Sequence, residues 1–64
     1  MQEKNFKIII GTVLVDKKDS DIIAQVIDVY KHFFLVEVHA KAGNYVESVN
    51  MHDWKTEESR WRLQ

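Results

Sequence analysis

The stretch Ile22-Ile23-Ala24-Gln25-Val26-Ile27-Asp28-Val29-Tyr30-Lys31-His32-Phe33-Phe34-Leu35-Val36-Glu37-Val38-His39-Ala40 decides the fold. It is rich in β-branched and aromatic residues, whose stiff side chains suit a pleated surface better than a helix. A two-residue loop at Lys31-His32 would make residues whose numbers sum to 63 face each other. One face then carries Ile23, Ile27, Val29, Phe34, Val36, Val38 and Ala40, with Gln25 its only polar member, and reads as core. The other face is mixed: Ala24, Val26, Asp28 and Tyr30 against Phe33, Leu35, Glu37 and His39. Lys31-His32 is poor chemistry for a tight primed turn, so a longer loop or a bulge would shift this pairing.

Working outward, Lys41-Ala42-Gly43-Asn44 is the next turn, closed either over all four residues or at Gly43-Asn44. Both closures preserve parity and send Tyr45, Val49 and Met51 to the core face, with Glu47 near the rim. Upstream, Asp16-Lys17-Lys18-Asp19-Ser20-Asp21 separates a further strand-like run, Ile8 to Val15, in which Gly11 marks a sharp bend or bulge. The tail has two readings. Asp53 caps a helical turn over Lys55 to Glu58, and Ser59 to Leu63 returns as a last strand with Trp61 and Leu63 on one side and Arg60 and Arg62 on the other. Alternatively a continuous helix starts at Asp53, with Trp54 and Trp61 on one face. The first is favoured, and in both the tryptophans face protein.

A chain of 64 residues without proline, repeat or linker is one domain, residues 1–64, too small for a deep enclosed active site. With no cysteine, neither a disulfide nor a thiolate metal site supplements its core. Nine basic residues against ten acidic ones give a net charge of −1, so no overall field points to nucleic acid. No apolar run is long enough to span a bilayer, and Met1 to Asn5 lacks a signal-peptide core, so the expected location is cytoplasmic.

The segments Gly11 to Val15, Ile23 to Tyr30, Phe34 to Val38 and Tyr45 to Asn50 together resemble SH3-like small barrels. Such modules include KOW-type and Tudor-type barrels and short uncharacterised proteins of Gram-positive bacteria and their phages. The resemblance covers roughly residues 8 to 63 and is one of strand rhythm and turn placement. It implies an all-β, partly open barrel of about five short antiparallel strands with a helical turn before the last, and binding rather than catalysis. The basic excess of KOW-type barrels is missing. The runner-up fold is a three- or four-stranded sheet packed on a C-terminal helix.

Candidate sites are few. With two glycines, no phosphate cradle, HExxH or nucleophile elbow is present. His32, His39 and His52 are scattered, and only His39 has a neighbour, Glu37, on the same strand face; solvated rim histidines are the plainer reading. No catalytic residue, metal or cofactor is therefore expected. Tyr30, Phe33 and Leu35 form an apolar group that is a partner-binding surface if the tail leaves it uncovered and a second small core if a tryptophan folds over it. The expected function is a non-catalytic protein-interaction module of bacterial or phage type, with an exposed strand edge as a route to a homodimer. The alternative is a nucleic-acid-binding barrel using Lys17, Lys18, Arg60, Arg62 and Trp61, extended by Lys4 and Lys7, whose affinity would be weak and salt-dependent. The plainer reading of the same residues is that the arginines pair with Glu57, Glu58 or Glu47 on the surface while Trp61 plugs the barrel end.

Overall fold

The structure, a computed structural model, describes residues 8–64. Five strands form one antiparallel sheet: β1 (Val13–Asp16), β2 (Ile23–Val29), β3 (Phe33–Ala40), β4 (Gly43–Asn50) and β5 (Trp61–Leu63). A single short helix, α1 (Met51–Lys55), precedes the last strand. The strand order is β4-β3-β2-β1-β5, so β4 and β5 end the row and the sheet does not close into a barrel. The all-β architecture with a helical turn before the last strand is thus the one expected; a continuous C-terminal helix is not, since α1 stops at Lys55.

The β2-β3 turn falls at Lys31-His32, where the Tyr30 amide donates to the Phe33 carbonyl at 2.8 Å. Val29 opposes Phe34 and Asp28 opposes Leu35, as the expected register requires. Beyond Asp28 the register slips by one: Val26 opposes Val36, and Ala24 opposes Val38. Ile27 is the extra residue of a β-bulge, which bends the strand and exchanges its faces. Ala24 and Val26 therefore enter the core, whereas Ile27 is exposed and Ile23 only half-buried. This corrects the alternation read from sequence on β2, while β3 keeps Phe34, Val36 and Val38 fully buried as expected.

A turn at Gly11 flanks β2 on the edge opposite β3. At φ 98° Gly11 makes a turn between Ile9 and Thr12, its amide donates to the Val26 carbonyl at 2.8 Å, and the Val26 amide donates to the Thr12 carbonyl at 2.9 Å. The loop thus extends the β1-β2 hydrogen bonding beyond Val13 to Val26. The expected strand from Ile8 consequently starts only at Val13.

The β3-β4 turn is earlier than the expected Gly43-Asn44 closure and tighter than the four-residue one, at Lys41-Ala42, with Ala40 opposite Gly43. Parity is unchanged. Val49 is buried and Glu47 half-buried, but Tyr45, at the end of the row, remains exposed. At the end of β4 the Asn50 side chain accepts from the Asp53 amide at 3.1 Å, so Asn50 rather than Asp53 caps the helix. The helix leaves through a Schellman arrangement, with the Glu57 amide on the Trp54 carbonyl and the Glu58 amide on the Asp53 carbonyl. This reversal places Trp54 edge-on to Phe34, at 5.9 Å between ring centres, and returns the chain so that Trp61 opposes Asp16. Both tryptophans are 1% exposed and fill the core, each burial of this size contributing upwards of about 2 kcal/mol.

Candidate interaction surface

The two tryptophans pack with Phe34, Val36 and Val38 on one face of the sheet, and Phe33 and Leu35 alternate to the other. The tail therefore does not cover the aromatic group. Tyr30 and Phe33, 45% and 39% exposed, stack on each other with ring centres 4.9 Å apart and an interplanar angle of 25°. Leu35 lies half-buried beyond them. The turn fixes this pair: its two residues leave Tyr30 and Phe33 as flanking neighbours, and the Tyr30 hydroxyl donates to Asp28 Oδ2 at 2.7 Å. That hydrogen bond, with the Asp28 charge behind it, raises the Tyr30 pKa and keeps the phenol protonated.

The cations of the nucleic-acid alternative meet where β1 pairs β5, the Lys17 amide donating to the Arg60 carbonyl at 2.8 Å and Arg62 lying opposite Val15, but Lys17 and Arg60 are engaged by other groups. Lys17 Nζ donates to the Glu57 carbonyl at 2.6 Å. Arg60 Nε donates to Asp16 Oδ2 at 2.8 Å and its Nη1 to Glu47 Oε1 at 3.1 Å, while its guanidinium lies 4.3 Å from the centre of the Trp61 ring. Arg62 Nη1 donates to the neighbouring Leu63 carbonyl at 3.1 Å, and Lys18 is exposed beside the Asp16 turn. Trp61, buried, presents no ring to a base. Lys4 and Lys7 lie outside the described residues. His39 meets Glu37 at 3.6 Å with both side chains well exposed, and among the described residues no three metal-ligating groups converge.

One cluster escaped the sequence reading. The Met51 amide donates to the His32 carbonyl at 2.9 Å and ties the β2-β3 turn to the start of α1. Lys31, His32, Asn50, Met51, His52 and Lys55 then line a cleft of about 300 Å³ at the turn that Tyr30 and Phe33 flank. His52 and Lys55, three residues apart on a helix, share a face, which the sequence does contain. Its pairing with the turn is long-range and follows only from the fold. No family model, curated relative or solved structure matches the chain.

Proposed function

We propose that this domain is a non-catalytic protein-interaction module of the SH3-like small-barrel type, of bacterial or phage origin and cytoplasmic, which holds a partner protein on Tyr30, Phe33 and Leu35. The observation that supports this is the stacked, exposed Tyr30-Phe33 pair on the face opposite both buried tryptophans. Two aromatic rings fixed by a tight turn and by the Asp28 hydrogen bond offer apolar area at little cost in side-chain entropy. Uncovered aromatic groups of this kind mark partner sites on small domains.

The test is a selection of displayed random peptides on the immobilised domain, scored against a Tyr30→Ser, Phe33→Ser variant whose fold is verified by circular dichroism. Peptides that enrich on the domain and fail on the variant are expected. Enrichment equal on both, or none, overturns the assignment of the surface.

A further inference from the structure

The cleft at the turn that Tyr30 and Phe33 flank has an unusual lining for a protein of net charge −1: two lysines, two histidines, an asparagine and a methionine, and no acid. Its walls come from two elements, the β2-β3 turn and α1, held together by the Met51 amide on the His32 carbonyl. The negative groups nearby are turned to other uses. Asp28 accepts from the Tyr30 hydroxyl and the Val29 amide, and Asp53 lines a different cleft, of about 170 Å³, with Glu47, Glu58 and Arg60. Lys31 and Lys55 have no acidic partner within ion-pair distance among the described residues.

We infer that this cleft binds the acidic side chains of a peptide segment whose neighbouring apolar residue rests on Tyr30 and Phe33. The inference rests on the reading of that pair as the partner surface, and it adds the chemistry of the partner. Two ammonium groups and two imidazoles supply donors to carboxylate oxygens, and Met51 adds an apolar side chain to the lining. A peptide fits this surface better than a nucleic acid. Each stacked ring has one face covered by the other, which reduces the ring area open to a base.

The experiment titrates isotope-labelled domain with two synthetic peptides, a leucine flanked by glutamates and the same peptide with glutamines. Amide shifts are read at low and at moderate salt. The glutamate peptide is expected to move the signals of His32, Met51, His52 and Lys55 together with Phe33. The glutamine peptide, or a Lys31→Glu, Lys55→Glu variant, is expected to bind roughly tenfold more weakly. A Lys31→Arg, Lys55→Arg variant should keep the affinity.

Equal binding of both peptides overturns the acidic assignment and leaves the aromatic surface standing. Undiminished glutamate-peptide binding to a Phe33→Ser variant keeps the cleft and removes the aromatic pair from the site. No shift with the glutamate peptide, or a larger one at the same signals with a mixed-sequence single-stranded DNA, overturns the inference.

Discussion

Arg60 reaches back across the sheet to Asp16, Nε to Oδ2 at 2.8 Å, and in the same pose extends Nη1 to Glu47 and to the Tyr45 hydroxyl on β4. One guanidinium thus links β1 to β4, which stand at different positions in the row with β2 and β3 between them. It spans the opening that a closed barrel would fill with backbone hydrogen bonds, with its Cζ over the Trp61 ring at 4.3 Å from the ring centre.

Asp16 carries the inner end of this link and titrates accordingly. Its carboxylate accepts from the Lys18 amide at 2.7 Å, the Asp19 amide at 3.2 Å and Arg60. The Lys18 hydrogen bond does most to hold its pKa below the usual carboxylate value; partial burial opposes this, and Arg60 reinforces it. The stabilisation is therefore complete above the unfolded pKa of about 3.9 and disappears as the pH falls through the lower folded value. Asp16→Asn should cost about 1–3 kcal/mol at neutral pH. Thermal melts of the two proteins should converge as the pH drops below about 4.

Glu57 occupies the left-handed position that ends α1, with φ 63°, where glycine is the favoured residue. The conformation also aims the Glu57 carbonyl at Lys17 Nζ, so the strain serves a long-range contact. Glu57→Gly relieves it and keeps the carbonyl. We expect a gain of about 1 kcal/mol, or a melting temperature higher by about 4–8 °C. A β-branched replacement such as Glu57→Val should lower it.

Burial of both indoles gives a direct optical test of the stacking alternative. Trp54 and Trp61 are the two tryptophans of the chain, and each is 1% exposed. Iodide should quench the native fluorescence hardly at all and should quench the denatured protein strongly. Addition of single-stranded DNA at low salt should leave the emission unchanged, since a base cannot reach either ring. Quenching in the native state would place at least one indole at the surface.

What the sequence made legible follows from which interactions are local. Lys31-His32 interrupts two β-branched runs, so the hairpin and the pairing of Tyr30 with Phe33 at its mouth are legible, whereas their exposure is not, because it depends on where the tail folds. Parity on β3 and β4 survived an error in the second turn because the error was an even number of residues. The capping residue was misplaced because Asn50 and Asp53 are both good N-caps and only packing of Trp54 on Phe34 chooses between them. The basic cleft was invisible because its halves lie about twenty residues apart and meet through one backbone hydrogen bond.

The bulge at Ile27 is the place where alternation and structure disagree outright, and adjacent substitutions separate them. Strict alternation buries Ile27 and exposes Val26; the structure leaves Ile27 39% exposed and Val26 1% exposed between Ala24, Val36 and the Gly11 turn. Lysine at an exposed bulge position keeps its ammonium in water and its stem against the sheet, so Ile27→Lys should cost no more than about 1 kcal/mol. Val26→Lys forces a charge into a site enclosed by apolar side chains and should cost upwards of about 3 kcal/mol, enough to unfold so small a domain. Chemical denaturation of the two variants would show a near-native transition for the first and none for the second. The reverse order would mean that the strands pair without the bulge and that Ile27, not Val26, faces the tryptophans.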